Sequence, residues 1–217
     1  MKNRNFYGTS SWNNYVKEKE ELYKNYHNIE TNVEQLEYGY TMEHNAIQDD
    51  SYMYRGDKCK LFLNGKKIFE WTNYYGKSLL HRIIEHSNGK KYFIYNEDLY
   101  GYSVLDLSDF KTINYLPYEY YGTEDNRLET FIFYDAYYNK YNDYIAIEGC
   151  MWATPYSVMV FSFKNPMKIK EFEYWNDLQD DEFTELNFVS WDKNKLILEY
   201  DETKQLICFD IKDYCVK

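Results

Sequence analysis

The sequence predicts an all-β fold made of repeated four-stranded antiparallel meanders, similar to a propeller, with a short helical segment at the N-terminus. The 217 residues include 27 tyrosines and 13 phenylalanines, which favour strands, and only three prolines. Three stretches of the chain also repeat one order of strands and turns at equal spacing. We therefore predict a helical appendage over 1–37 and a propeller-like β domain over 38–217.

The repeat is the main basis for this prediction. It occupies three segments that each read strand, polar turn, strand, loop and strand: 82–110, 130–166 and 186–213. The middle strands are predicted to begin near Tyr92, Tyr144 and Leu196, so that both steps along the chain are 52 residues. Strands that recur about every 50 residues are typical of propellers and similar arrays of meanders.

Residues with turn chemistry separate the predicted strands at three places: Asn64-Gly65, 87–89 and 192–194. Asn and Gly tolerate positive φ, and an Asn-Gly pair is a strong signal for a two-residue hairpin. A fourth strand is predicted after the first two repeats, over 111–116 and 168–175. Four antiparallel strands per unit is the pattern of a propeller blade.

The segment 13–36 has a different pattern. Its apolar side chains recur at helical spacing, at Tyr15, Leu22, Tyr26, Ile29, Val33 and Leu36. Glu20 and Lys24 form a favourable i,i+4 pair. The pattern predicts one helix, or two short helices broken near Asn28.

Composition restricts the partners and the location. The formal net charge is −11, from 36 acidic and 25 basic residues, and a negative protein repels the phosphates of nucleic acids. The charge would suit a basic protein partner, or it would simply keep the chain soluble. No run of about 18 apolar residues and no apolar signal segment is present. The sequence therefore predicts no membrane contact and a cytoplasmic location.

Neither cysteines nor histidines show the spacing of a metal site. The chain has four cysteines without a zinc-type pattern, Cys59, Cys150, Cys208 and Cys215, and free thiols suit a reducing cytosol. His81 and His86 are five residues apart on a predicted strand, so that a shared metal would be awkward. We predict no metal and no cofactor.

Two groups of residues are candidates for a binding site. Cys150, Trp152 and Tyr156 lie in a loop between strands, where no helix start would activate the thiol. We expect a buried structural thiol, with Trp152 packing the loop against the sheet. The second group follows the middle strands and consists of Glu97, Asp98, Glu148 and Asp201. Equivalent positions in successive units would bring these carboxylates to one end of the array, beside a central channel.

The stretch YIAIEGCMWATPYSVMVFSFKNP, residues 144–166, contains a Gly-Cys-x-Trp-x-x-Pro-Tyr core. It resembles a segment of uncharacterised bacterial proteins for which no activity is known. The resemblance implies a bacterial origin and a loop tied to its sheet, and it transfers no functional residue.

Three functional hypotheses remain open. The first is a non-enzymatic binding protein that docks a protein partner, as immunity and inhibitor proteins do, because catalytic motifs are lacking and tyrosines cluster over 115–122 and 134–144. The second is a binder of small ligands or carbohydrates, with hydrolysis open, that uses a central channel. The third is an enzyme with Cys150 as nucleophile.

Overall fold

The computed structural model describes residues 2–3, 5–50, 55–122, 130–152, 154–168, 172–173 and 185–211. These residues form mainly β structure, arranged as four antiparallel sheets of three or four strands that follow one another along the chain, together with one separate two-stranded sheet. Within each of these four larger sheets, every strand pairs with the next strand in sequence. The prediction of repeated antiparallel meanders is confirmed at this level.

The first sheet has four strands: β2 (His27–Gln35), β3 (Tyr40–Gln48), β4 (Arg55–Leu63) and β5 (Lys66–Asn73). A 3₁₀ turn over Glu37–Gly39 joins β2 to β3. The predicted hairpin is present, with Asn64 and Gly65 at φ values of 50° and 77° between β4 and β5. Both central residues of a type I′ turn need positive φ, which explains the Asn-Gly pair.

The second sheet consists of β6 (His81–Glu85), β7 (Lys91–Tyr95), β8 (Tyr102–Asp106) and β9 (Thr112–Tyr115). It is covered on both faces. Phe93 and Leu105 pack toward the first sheet, whereas Ile94 and Val104 pack toward the third. This double cover explains why β7 and β8 are buried almost throughout, and each of these four buried apolar side chains contributes about 1.5–3 kcal/mol.

The third sheet has β10 (Ile132–Asn139), β11 (Tyr144–Cys150) and β12 (Ser157–Ser162). The fourth has β14 (Leu186–Asp192), β15 (Lys195–Tyr200) and β16 (Leu206–Asp210). Alternate residues of β11 pack into two different apolar clusters. Ile145 and Ile147 face the second sheet, while Ala146 faces the fourth. The sheets are therefore stacked in the order in which the chain builds them.

The 52-residue steps mark equivalent strands. Tyr92 is the second residue of β7, Tyr144 the first of β11 and Leu196 the second of β15, and each of these strands is second in its sheet. The predicted strand over 111–116 is β9. Most of the strand predicted over 168–175 lies outside the described residues. The described pair β13 (Phe172–Glu173) joins β1 (Lys2–Asn3), not β12.

The N-terminal helix is shorter than predicted. Helix α1 spans Trp12–Leu22, whereas His27–Gln35 form β2, which pairs with β3. The prediction of helix as far as residue 36 is wrong, because Ile29 and Val33 also fit the two-residue period of a strand, and both are exposed there. The boundary at residue 37 accordingly falls between two strands of one sheet, and the division into two domains stays a prediction.

Helix α1 is attached to the first two sheets through tyrosine hydroxyls. Tyr23, directly after the helix, donates to the carbonyl of Tyr74 at 2.7 Å and to that of Arg55 at 3.0 Å. Tyr15 donates to the carboxylate of Asp98. A second short helix, α2, spans Tyr118–Tyr121. Neither of these two described helices is long and apolar enough to cross a membrane.

Candidate functional site

A pocket of about 220 Å³ opens where the first three sheets meet. The first strand of each of these sheets contributes to its wall, with Glu34 from β2, His81 and Arg82 from β6, and Tyr134 and Asp135 from β10. The loop before β6 completes the lining with residues 77–79. The wall therefore combines acidic, basic, imidazole and phenol groups from distant parts of the chain.

Two histidines and a carboxylate meet at one side of this pocket. The Nε2 atom of His81 is 3.1 Å from Oε2 of Glu34, and Nε2 of His44 is 3.8 Å from the same oxygen. The two imidazole rings are edge to face, with centroids 5.3 Å apart. One ligand atom from each of the three residues lies within 4.8 Å of the other two.

Strand alternation places these side chains together. Glu34 is opposite Met42, and His44 lies two residues further along β3 on the same face. Met42 is fully buried against the second sheet. Glu34 and His44 lie on the same face of the first sheet as Met42 and form the polar end of that face. His81 and Ile83 share the opposing face of β6, which brings the second imidazole to the same place.

Asp57 contacts His44 at the ring nitrogen that does not face Glu34. Its Oδ2 atom is 2.6 Å from Nδ1 of His44 and accepts a 3.2 Å hydrogen bond from the amide of Ser78. Burial raises the pKa of Asp57, but these hydrogen bonds lower it by more than burial raises it. The pKa of Asp57 is therefore below its ordinary value. Asp57 is therefore ionised at pH 7, and only 2% of its side chain is exposed.

The protonation of His81 is set mainly by burial. Burial lowers its pKa below 6.5, and the nearby carboxylate of Glu34 offsets only part of that effect. The imidazole is consequently neutral at pH 7 and has a nitrogen lone pair to offer. Its Nδ1 atom, like Nε2 of His44, has no hydrogen-bond partner among the described residues.

An ion-pair network forms another part of the pocket wall. Arg82 binds Asp135 with two hydrogen bonds, Nε to Oδ1 at 2.6 Å and Nη2 to Oδ2 at 2.5 Å. The hydroxyl of Tyr137 is 3.0 Å from Oδ2 of Asp135 and 2.8 Å from Oε2 of Glu148, so it can donate to either carboxylate. The hydrogen bonds to Asp135 raise the pKa of Arg82 further above its ordinary value, so its charge is permanent.

A β-bulge directs Tyr134 into the pocket wall. The pairing of β10 with β11 shifts register between Phe133 and Asp135, which leaves Tyr134 unpaired and 43% exposed. Similar shifts occur in β2 and β14, next to the exposed side chains of Ile29 and Val189. Bulges next to functional sites commonly re-aim a side chain.

Of the residues predicted from the sequence, Glu97 and Asp98 lie beside the N-terminal helix. Asp98 is buried under α1, where Tyr15 donates to it and Nζ of Lys19 is 3.6 Å away. Glu97 accepts from Asn114 at 2.6 Å and from Tyr95 at 3.1 Å within its own sheet. Both carboxylates are thus engaged in structural contacts.

The other predicted carboxylates lie elsewhere. Glu148 accepts from the amide of Phe188 on the fourth sheet and is close to the Arg82–Asp135 pair. Asp201 accepts from Asn187 at 3.2 Å in an exposed turn. No hydrogen bond or ion pair between described residues joins Glu97 to Glu148 or Asp201.

The loop around Cys150 is more exposed than predicted. Cys150 is half-buried at the end of β11, and burial raises its pKa, which opposes the thiolate that a nucleophile needs. The expectation that Trp152 packs the loop against the sheet is wrong, because this side chain is 51% exposed. Thr154 instead closes the loop by accepting from the amide of Met151 and donating to its carbonyl. Tyr156 packs against Tyr134, with ring centroids 5.5 Å apart.

Many of the clustered tyrosines serve internal packing. Tyr121 packs against Phe6 of the N-terminal segment, and Tyr137 stacks on Phe188 at 3.9 Å between ring centroids. Tyr138 stacks on His86, which hydrogen-bonds to the carbonyl of Phe163 directly after β12 and does not meet His81. Tyr141, at 66% exposed, is an exception.

Sequence reasoning missed Glu34, His44, Asp57, Arg82 and Asp135. Glu34 was assigned to a helix, and the strand that bears His44 was not identified. The sequence signal that could have revealed the site is the spacing of Met42 and His44, which are two residues apart and so share one face of a strand. It becomes informative only once the pairing of β2, β3 and β4 is known.

The buried carboxyl of Glu97 predicts a measurable pH effect. Burial raises its pKa above 4.5, so ionisation favours the unfolded chain, and wild-type stability falls as pH rises from about 4.5 through the folded-state pKa. Glu97→Gln should remove that fall and be more stable than wild type at neutral pH, with the difference vanishing below about pH 4.5. Urea unfolding between pH 4 and 8 measures this.

Glu43→Gln is the matched control for Glu97→Gln. The hydrogen bond from Lys60 lowers the pKa of Glu43, so this carboxylate stabilises the fold above pH 4.5 and stops doing so in acid. The control should therefore lose stability at neutral pH. If both substitutions changed stability at neutral pH in the same direction, the raised pKa that we assign to Glu97 would be wrong.

Fold and pocket together define the class: an all-β protein of four consecutive antiparallel sheets, with a polar pocket between the first strands of three of them. Comparison of the chain with protein-family models and with curated proteins found no match.

Proposed function

We propose that this chain is a small-ligand-binding protein and that its binding site is the pocket between β2, β6 and β10. The observation that carries the proposal is the convergence of Glu34, His81 and Asp135, from three separate sheets, on one cavity. Convergent polar groups in a cavity are typical of ligand sites. At about 220 Å³ the pocket would suit a compact polar ligand such as a monosaccharide or a small zwitterion.

The proposal includes a finer description of the fold. We infer that the four sheets are blades of a propeller-like array whose first strands lie innermost. Two observations support this: first strands supply most of the pocket wall, and three apolar clusters link each sheet to the next. The innermost strands of a propeller line its central channel.

A second candidate function is the docking of a protein partner. Met151 and Trp152 are exposed next to one another on the loop after β11, and Trp is enriched at interface hot spots. The net charge of −11 would favour a basic partner, in the cytosol of a bacterium as the sequence predicts. Internal packing of Tyr121, Tyr137 and Tyr138 weakens the argument from tyrosine content.

A thermal-shift screen of sugars and small zwitterions, with EDTA present, tests the first proposal. A ligand at about 100 times its Kd stabilises by about 2.7 kcal/mol, which should raise the Tm by about 5–10 °C. Tyr134→Ser should abolish the shift, whereas the exposed control Tyr141→Ser should keep it.

Two outcomes would contradict this proposal: no stabilisation by any compound, or an equal response of both variants. A saturable complex with a basic protein that Trp152→Ala weakens, in the absence of any small-ligand effect, would favour the second candidate.

A further inference from the structure

We propose that Glu34, His44 and His81 bind a divalent first-row transition-metal ion at the wall of the pocket. The inference rests on the proposed function, because the ion would form part of the same binding site. Two imidazoles and one carboxylate are a donor set found in catalytic zinc sites and in non-haem iron sites. Two nitrogen donors disfavour Mg²⁺ and Ca²⁺, which take oxygen ligands.

The separations between donor atoms fit this coordination. Metal–ligand bonds of about 2.0–2.1 Å in a tetrahedral site place neighbouring donor atoms about 3.3 Å apart. The two separations from Oε2 of Glu34, 3.1 Å to His81 and 3.8 Å to His44, lie on either side of that value. A small rotation of the half-exposed Glu34 side chain would equalise them.

The buried nitrogen of His44 is an independent indication. Only 5% of the His44 side chain is exposed, yet its Nε2 atom has no hydrogen-bond partner among the described residues and points toward Glu34. An unsatisfied buried polar atom costs about 1–3 kcal/mol, so native structures rarely keep one without a reason. A bound metal ion would satisfy this nitrogen.

The other ring nitrogen is already positioned for metal binding. Nδ1 of His44 is 2.6 Å from the carboxylate of Asp57. A hydrogen bond from Nδ1–H to a carboxylate fixes the tautomer that presents the Nε2 lone pair, and metal-binding histidines are commonly held in this way. Asp57 is therefore a positioning residue for the proposed site.

The coordination sphere would be open toward the pocket. Glu34 and His81 line the cavity, while His44 approaches from the buried side. Three protein ligands leave at least one position for water or for an oxygen atom of the pocket ligand, as in catalytic zinc sites. A second cluster, of His44, Asp57 and Cys59, is buried throughout and has no such opening.

Isothermal titration of the full chain, stripped with EDTA and desalted, tests the proposal with the metal as the only probe. Zn²⁺, or Fe²⁺ under anaerobic conditions, should bind with one saturable site per chain, and the ion bound more tightly identifies the preferred metal. Mg²⁺ should not bind. Glu34→Gln and His81→Gln should each weaken binding at least about tenfold. His27→Gln, which changes a histidine on the same sheet that is 3.6 Å from Asp50, should leave affinity unchanged.

Circular dichroism and melting curves establish that each variant is folded. Because Glu34 is half-exposed, its substitution should not disturb the core. The proposal is overturned if the folded wild type binds neither ion, or if affinity depends on His27 and not on Glu34 and His81. The sugar and zwitterion screen contains EDTA, so failure of metal binding and failure of ligand binding are separate results.

Discussion

Replacement of Gly149 by alanine is expected to destabilise the protein by about 3 kcal/mol, the upper range for an overpacked site. A Cβ atom at this position would lie 2.0 Å from the carbonyl oxygen of Ile132 and 2.5 Å from a ring carbon of Phe131. Gly149 pairs with Phe133 on β10 and with Ser157 on β12. Because both neighbouring strands are held by backbone hydrogen bonds, neither can move aside cheaply.

Urea unfolding measures the effect against two controls. Gly65→Ala meets no atom within 4 Å, so it should cost only the left-handed backbone strain of about 1–2 kcal/mol. Cys150→Ala changes a half-buried thiol and should cost less than Gly149→Ala. If Cys150→Ala proved the most harmful of the three, our account of Gly149 as the residue that permits a close approach between strands would be wrong.

Replacement of Asp57 by asparagine is expected to weaken metal binding by about 10–100-fold, the usual cost of losing a partner of a metal-bound histidine. Asparagine keeps an oxygen that can accept a hydrogen bond from Nδ1 of His44. It removes the negative charge that makes the imidazole a stronger metal ligand. The same oxygen of Asp57 also accepts from the amide of Ser78, so some loss of stability should accompany the change. Zinc titration of the folded variant measures the affinity.

Asp106→Asn is a matched control for this prediction. Asp106 is as buried as Asp57, but it accepts from Lys90 at 2.7 Å and from Ser108, on the second sheet. The control should lose stability without losing zinc affinity. Equal affinity in Asp57→Asn and wild type would show that Asp57 does not position His44 for a metal.

Features with a local cause could be predicted from the sequence. The Asn64-Gly65 turn follows from the positive φ that a two-residue hairpin requires. The equal spacing of Tyr92, Tyr144 and Leu196 correctly marked the second strand of three sheets. Repeated units place corresponding strands at a constant separation along the chain, whatever side chains they bear.

The strand that begins the first sheet and the proposed site depend on pairings that one sequence does not reveal. Ile29 and Val33 fit both a helix and a strand, and only the partner strand β3 decides between them. His44, His81 and Asp57 are far apart in sequence, and they meet because β3, β4 and β6 place one face of each strand at the same end of the core. The acidic residues that follow the middle strands were easier to pick out in the sequence than the residues of the proposed site. Glu97 and Asp98, however, interact with structural partners, through a hydrogen bond and an ion pair respectively.

Anomalous diffraction from crystals grown with Zn²⁺ tests the central claim most directly. We predict a strong peak above the zinc absorption edge, within about 2.0–2.2 Å of Nε2 of His44, Nε2 of His81 and Oε2 of Glu34. A peak bound only by other residues, or a His44 Nε2 that donates to a protein group in the zinc-treated crystal, would contradict it.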